Sequence, residues 1–389
     1  VKIMLTHRFF WPDAAPYATF LRVMADSLAR AGHDVKVFAS IPSYNNSVDS
    51  VPRLETLGSV QVTRSLVFRQ EKRSTLLRLA NVAIYCSQLF VHILRSRPDV
   101  VTASTYPPTV AALTTGLAAR LVGARFLYHV QDIHPEVSKL SGSKLGGFPL
   151  FDILRWLDTC ALRLAWRIVT LSDDMAATLR ARSGRLAGRI RIINNLSLDD
   201  GKTTKPAAPQ TDRFRVIFAG NLGRYQNLPL VAAGVARLFD RHPGLELMFL
   251  GSGVMERELR AIWGDHPRIT FHPFVPFEEA RAIIQASQLG IVSIVPGLAA
   301  VAYPSKIMTY QSLALPILGL VDPDSHIARD LEASGAGVVV RDRSESGVAE
   351  ALERAITSTT LHAAARNLAS RYEADTILAE WEHLMAEAR

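Results

Sequence analysis

The chain has 389 residues, more than one hydrophobic core usually organises, so two domains are expected. A hydrophobic fraction of 48% with 21% charged residues fits a globular soluble protein, and its two cysteines argue against a disulfide framework. The net charge of +8 is uneven: residues 1–198 carry 25 Lys+Arg against 13 Asp+Glu, a net of +12, while the rest carries −4. An excess of this kind suits an anionic membrane surface or an anionic substrate, with a solvated arginine-rich surface as the plainer alternative. No recognised nucleic-acid motif accompanies the charge, which weighs against nucleic acid as a partner.

In chain order, the sequence opens on a strand at Lys2–Thr6, with no signal peptide ahead of it. The helix Ala18–Ala31 follows, stopped by Gly32, and then strands at Val35–Ala39 and Val60–Thr63. Arg69, Lys72, Arg73 and Arg78 lead into the apolar segment Leu76–Leu94. Arg78, Asn81, Gln88 and His92 interrupt that segment, so the sequence predicts that it does not span a bilayer. It can instead lie on an anionic membrane surface or serve as core of the first domain. Cys86 falls in it, and like Cys160 reads as a core residue. Strands then recur at Val100–Ala103, Phe126–Val130, Ile168–Leu171 and Ile190–Ile193, with helices at Thr109–Leu121 and Asp173–Arg182. A second basic cluster comprises Arg180, Arg182, Arg185, Arg189 and Arg191.

Residues 199–212 are polar, contain Pro206 and Pro209, and lack periodicity; they read as an interdomain linker. The alternation restarts with strands Val216–Ala219, Leu245–Leu250, Ile269–His272, Leu289–Val295 and Pro316–Leu320. Helices Leu228–Arg241, Val254–Trp263 and Phe277–Gln285 lie between them. Strand–helix alternation on both sides of a linker predicts an α/β protein of two Rossmann-like, doubly wound parallel-sheet domains facing a cleft. The domains are 1–198 and 213–373, and a final helix within 374–389, carrying Trp381, could pack across their junction.

Ligands bind at the carboxyl ends of strands in such sheets, so the strand-end loops carry the chemistry. The first, Thr6–Pro16, has no glycine, which argues against a dinucleotide-dependent enzyme. The second, Gln131–Glu136, follows the Phe126–Val130 strand and gathers Asp132 and His134, two residues apart. A carboxylate and an imidazole there can face a developing positive charge or relay a proton; alternatively Asp132 caps a helix and His134 fills space. The third contains Gly220, Asn221, Gly223, Arg224 and Asn227. The glycines allow close backbone approach, Arg224 offers a fork to a diphosphate, and Asn227 can cap the next helix. The fourth is Gly251-Ser252-Gly253. Between two apolar runs stands Tyr303-Pro304-Ser305-Lys306, where Ser305 is expected to cap a helix starting at Lys306. That would aim N–H groups, a hydroxyl and an ammonium at one phosphate-sized point. No Cys/His cluster has zinc spacing, and no metal is expected.

Together these segments resemble the bacterial family 4 glycosyltransferases of GT-B architecture, and within them the O-antigen and exopolysaccharide branch of fucosamine-type and colanic-acid-type enzymes. The resemblance covers essentially the whole chain. It rests on Ala25–Val37, Gln131–Glu136, Ala219–Leu228, Gly251–Gly253, Pro304-Ser305-Lys306 and Asp322–Ser325. It implies a hexosyltransferase that moves a sugar from a nucleotide diphosphate sugar, uridine sooner than guanosine, with retention and without an essential metal or other cofactor. The acceptor would be a glycan or a polyprenyl-diphosphate-linked glycan, and the protein would be cytoplasmic, peripheral on the inner face of the membrane.

The same resemblance makes 1–198 the acceptor domain and 213–373 the nucleotide-sugar domain. Asp132 and His134 would be catalytic. Arg224, Lys306, Ser305, Gly220 and Asn221 would hold the diphosphate. Gly251, Ser252, Gly253, Phe274, Val275 and Thr309 would line the nucleotide, and His7, Asp13, Ala14 and Glu136 the acceptor side. Two departures stand out: a glutamate pair common in the family is replaced by Val301 and Thr309, and the usual glycine-rich first loop is replaced by Pro12–Pro16. The competing readings are a sugar-nucleotide epimerase of related architecture and a degenerate donor-binding scaffold.

Overall fold

The computed structural model describes residues 1–13, 15–42, 51–68, 74–140, 146–196, 213–369 and 374–388. Ala14, the cationic Arg69, Lys72 and Arg73, and the expected linker 199–212 lie outside the described residues. The chain divides into two compact units, Val1–Leu198 with Asp375–Arg389, and Asp199–Ala374.

The first unit is built on an eight-stranded sheet. Its strands are β1 (Lys2–Thr6), β2 (Asp34–Ser40), β3 (Leu54–Leu57), β4 (Val60–Ser65), β5 (Val100–Ser104), β6 (Arg125–His129), β7 (Arg167–Thr170) and β8 (Ile190–Ile192). They lie in the order β3-β4-β2-β1-β5-β6-β7-β8. The central strands are buried on both faces, as helix-covered parallel strands must be. The exception to parallel pairing is β3, which pairs antiparallel with β4 across a Gly58-Ser59 turn. Its half-exposed residues form no apolar run, so hydrophobic periodicity missed it; the Gly-Ser turn was the available signal.

The last helix, Ala374–Ala386, belongs to this unit. Trp381 is buried against Phe20 and His129, with ring centroids 6.1 and 4.8 Å away. Ser27 donates to Glu382 at 2.7 Å, and Arg167 pairs with Glu387 at 2.8 Å.

The helix Thr75–Ser96 is more apolar than its interruptions suggested. Its most apolar 18-residue window averages a hydropathy of 1.4, so by length and composition it is long and apolar enough to cross a membrane. Of the polar residues that interrupt it, Arg78 stays exposed and Asn81 is used internally. Asn81 is buried and exchanges two hydrogen bonds with the backbone of Phe68, at 2.7 and 2.8 Å, stapling the helix to the segment after β4. Tyr85, Cys86, Leu89 and Ile93 are buried with it, while Leu76 and Leu79 face outward.

The second unit has a six-stranded parallel sheet in the order β11-β10-β9-β12-β13-β14. These strands are β9 (Phe214–Ala219), β10 (Leu245–Leu250), β11 (Ile269–His272), β12 (Leu289–Ser293), β13 (Ile317–Leu320) and β14 (Gly337–Val339). In each unit the order reverses beside the first strand, between β1 and β5 and between β9 and β12. Loops leaving such a pair diverge to opposite faces and leave a crevice at the strand ends. The candidate residues fall in or next to these loops.

Candidate active site in two strand-end loop clusters

In the second unit, β9 ends at Ala219, whose N–H donates to the hydroxyl of buried Tyr310 at 2.9 Å. Sequence reasoning missed Tyr310 as a positioning residue. Its place one turn into the helix Lys306–Ser312 lets it reach back to the strand end from which Gly220 departs. Gly220 has φ +120°, and a Cβ there would lie 3.1 Å from Lys306 Cε. Glycine therefore makes room for the lysine. Gly251 has φ +130°, and its Cβ would meet Gly220 O at 2.2 Å. Here the absent side chain lets the loops after β9 and β10 pack on each other, a different use from the close ligand approach expected. The two loops are also joined by Leu222 N–H donating to Ser252 O at 2.9 Å.

Lys306 is half-buried, with Nζ 4.5 Å from the centre of the Phe218 ring. Burial lowers its pKa to about 8, and it makes no hydrogen bond or ion pair among the described residues. Arg224 stands exposed in the short 3-10 turn Arg224–Gln226, likewise without a hydrogen bond or ion pair among them. Two cations without counter-charges beside a switch-point crevice form an arrangement that an anion completes. Asn221 and Ser252 are exposed beside them, and Gly253 continues the turn.

Three local expectations need correction. Ser305 is exposed but does not cap through its side chain; its backbone is already helical at φ −57°, ψ −21°, so the hydroxyl is not aimed at the first free N–H groups. Its carbonyl instead accepts from Thr309 N at 3.3 Å and from Thr309 Oγ1 at 3.4 Å. Asn227 also makes no side-chain cap bond; it serves through a left-handed backbone at φ 45°, which asparagine tolerates. The helix after it ends at Ala236, not Arg241. Val301, where the resemblance implied a glutamate, is a buried apolar residue, while Phe274 is 73% exposed and Val275 half-buried.

In the first unit, Asp132 lies just beyond β6. It is half-buried, makes no hydrogen bond or ion pair among the described residues, and has its pKa raised to about 6 by burial. The expected capping alternative is not what the side chain does. Its neighbours are fixed instead. Gln131 and Asn195 exchange amide hydrogen bonds at 3.0 and 2.5 Å. Gln131 Nε2 also lies 2.6 Å from His129 Nε2, and His129 Nδ1 lies 2.9 Å from the Tyr17 hydroxyl. Burial and then His7 lower the His129 pKa to about 3, so the ring is neutral and relays hydrogen bonds without charge. Tyr17 and Asn195 were not anticipated as site supports; each is distant in sequence from His129 and Gln131 and meets them only through the fold.

On the far side of Asp132, Arg182 donates to the carbonyl of His134 at 2.6 Å and pairs with both Glu136 and Asp158. Its side chain is 1% exposed, so this arginine does not belong to a basic surface cluster. It is drawn inside by two carboxylates. Glu136 also pairs with Arg155 at 3.5 Å, so its carboxylate is engaged within the unit. His134 has its pKa lowered to about 4 by burial and then by Arg182, and its Nδ1 lies 3.3 Å from Ser138 Oγ.

His7 is buried and neutral, its pKa lowered to about 4 chiefly by burial, with Nδ1 2.8 Å from Phe9 O. Asp13 is buried in the same loop, which buried Arg64 holds through Trp11 O at 2.6 Å. Among the described residues no group of three His, Cys, Asp or Glu side chains could hold a metal ion.

Comparison with known proteins sets this geometry in context. Residues 17–195 match the family model described as a glycosyl transferase 4-like domain. WcaI of Escherichia coli, named for glycosyl transfer in colanic acid biosynthesis, is 23% identical over 331 residues, covering 79% of this chain and 80% of the relative. Residues 17–195 thus carry a glycosyl transferase 4-like domain, and most of the chain is similar to a bacterial polysaccharide glycosyltransferase. The fold is that of GT-B enzymes. Sucrose-phosphate synthase of Thermosynechococcus elongatus superposes with a TM-score of 0.76 at 14% identity, covering 99% of this chain and 98% of that one. HepE of Anabaena in complex with UDP-glucose superposes with a TM-score of 0.68 at 15% identity, covering 99% of each.

Proposed function

We propose that this glycosyltransferase moves a sugar from a nucleotide diphosphate sugar to a hydroxyl of a polyprenyl-diphosphate-linked glycan, retaining the anomeric configuration, in the synthesis of a bacterial surface polysaccharide. One observation carries the reading: Lys306 keeps a half-buried ammonium with no carboxylate partner, next to Gly220 and at a switch point. A desolvated cation without a counter-ion is costly, and a bound diphosphate supplies the missing charge. The bond between the anomeric carbon and the diphosphate oxygen breaks, and the diphosphate leaves with the electron pair. Lys306 and Arg224 neutralise that charge, the role a metal plays in other transferases, so no resident metal is required. The acceptor hydroxyl bonds to the anomeric carbon, and its proton passes to the departing diphosphate oxygen. Asp132, unpartnered and titrating near 6, faces the positive charge that develops on the sugar.

Support for the donor comes from the likeness to HepE, which holds UDP-glucose, and support for the pathway from the likeness to WcaI. Ser305 and Asn221 complete the diphosphate cluster. Gly251, Ser252, Gly253, Phe274, Val275 and Thr309 serve the nucleoside, and His7, Asp13, Ala14, His134 and Glu136 shape the acceptor side. The protein works at the cytoplasmic face of the membrane, where such acceptors are anchored. The test is a panel of uridine and guanosine diphosphate sugars incubated with bacterial lipid extract, following sugar transfer into the lipid phase and nucleoside diphosphate release. Acceptor-dependent transfer is expected, and NMR of the product gives its anomeric configuration. Turnover that needs no acceptor and yields an epimerised sugar overturns the transferase reading; donor binding with no turnover leaves only a scaffold.

A further inference from the structure

Away from both strand-end clusters, the first unit contains a cavity of about 290 Å³ between β2, β4 and the second half of the helix Thr75–Ser96. Arg53, Arg64 and Arg95 line it together with His92, and no carboxylate does. The three arginines are not equivalent. Arg64 is fully buried and has its charge answered by Glu55. Arg53 and Arg95 are exposed and make no side-chain hydrogen bond or ion pair among the described residues. His92 registers the resulting field: burial lowers its pKa, and Lys36 and Arg95 lower it further. Thr63, Ser87 and Gln88 add neutral donors to the wall. Two free guanidinium forks, a hydroxyl-rich wall and net positive charge match the several oxygens of a phosphate group.

The helix that forms one wall indicates where that phosphate comes from. Leu76, Leu79, Ala83, Ser87, Val91 and Arg95 follow one another at intervals of three or four residues, so they share one face. That face is exposed, with Leu76 at 78%, Leu79 at 62% and Val91 at 42%. The row is apolar at its start and cationic at its end, and Val91 and Arg95 both line the cavity. An apolar row running into an arginine-lined hole reproduces the layout of a phospholipid, acyl chain followed by phosphate.

We propose that this cavity is a lipid headgroup site, in which Arg53 and Arg95 grip the terminal phosphate of a membrane lipid while the Leu76–Val91 row lies against the acyl boundary. The proposal goes beyond the transferase reading: it assigns no part of the donor chemistry and stands on lipid binding alone.

The full chain is tested by flotation with phosphatidylcholine vesicles containing either phosphatidic acid, whose phosphate is terminal, or phosphatidylglycerol at matched surface charge. Phosphatidic acid is expected to bind more tightly. The double variant Arg53→Gln/Arg95→Gln, substituted at exposed positions, is expected to lose at least about tenfold in that affinity, two charge-assisted contacts being removed. Its unchanged circular dichroism and urea unfolding midpoint show that it is folded. The wild-type comparison of the two lipids needs no variant. Equal binding to both vesicles overturns the headgroup site in favour of diffuse charge attraction. Binding of inorganic phosphate by calorimetry that the double variant loses, with no flotation on either vesicle, overturns the lipid assignment, leaving a site for a soluble phosphate. Loss of sugar transfer to a soluble acceptor would count against the transferase reading and not against this site.

Discussion

The loop cluster at the ends of β9 and β12 and the loop cluster after β6 both lie at the carboxyl ends of parallel strands and solve opposite problems. In the former the cations Arg224, after β9, and Lys306, after β12, are left without hydrogen-bond or ion-pair partners among the described residues, and Gly220 makes room for the lysine. After β6 the cation Arg182 is buried and saturated by Glu136 and Asp158, both nearby imidazoles are neutral, and the carboxylate of Asp132 is the group left over. One unit is short of negative charge at its strand ends and the other keeps a single unsatisfied acid. The difference shows that residue type alone is a poor guide to role: Arg182 and Arg224 both lie near strand-end loops, the first at the end of a helix and the second in a 3-10 turn, and only the one without a carboxylate is available to a substrate.

The sharpest break of this comparison is at Asp132. Asp132→Asn keeps the shape and removes the charge, so it should cut the transfer rate by roughly 10²–10⁴, the range for a positioned acid–base or charge-stabilising group. Donor affinity by calorimetry should stay unchanged. In the wild type the rate should rise as pH climbs through about 6, where the carboxylate ionises, and the acidic limb should vanish in the variant. Because the folded pKa is raised, Asp132 favours the folded state below its ordinary unfolded value, and that contribution is lost as pH rises through about 6. A wild-type rate in the variant would make Asp132 a structural residue.

Next in size is the buried clamp. Arg182→Met leaves Asp158, 3% exposed, without its counter-charge, and should cost about 3–5 kcal/mol of stability in urea unfolding of the first unit. A loss under 1 kcal/mol would mean that the cluster is wetter than its burial indicates, and that Asp132 is held chiefly by the Gln131–Asn195 side. The matching change after β9 is milder. Lys306→Ala and Arg224→Ala should each weaken nucleoside diphosphate binding by about 1.5–3 kcal/mol and leave the free nucleoside unaffected. Equal losses for both ligands would remove these residues from the diphosphate cluster.

Much of this was legible in the sequence, for physical reasons that differ by element. Parallel strands such as β5 and β12 are buried along their whole length and mostly apolar because both faces are covered, and they stood out. The half-exposed β3 did not. Lys306, Arg224 and Asp132 were recoverable because strand ends locate loops, and loops at strand ends meet ligands. Their lack of partners could not be read, since partnership depends on residues far away in sequence. The same limit hid Tyr310 on Ala219, Asn195 on Gln131, and the two carboxylates that draw Arg182 inside. The hydroxyl of Ser305 misled for a local reason: its own backbone is already helical.

The smallest expected effect probes the unpaired state of Lys306 directly. Its pKa is lowered to about 8 because burial penalises the ammonium and no carboxylate repays it. The group is depressed below its unfolded value, so between about 8 and 10.5 the folded protein binds fewer protons than the unfolded one, and stability rises with pH across that window. Below about 8 the ammonium is present and carries a desolvation cost, which a bound diphosphate offsets. Donor binding should therefore take up a fraction of a proton near pH 8. Above it, affinity should fall by up to about tenfold per pH unit, equivalent to 1.36 kcal/mol. Arg224 stays charged throughout, so Lys306→Arg should flatten the profile while Arg224→Lys should not. Calorimetry at pH 8 in two buffers of different ionisation enthalpy measures the proton uptake. Zero uptake in the wild type would mean that Lys306 already has a counter-charge, and the contrast between its loop cluster and that of Asp132 would disappear.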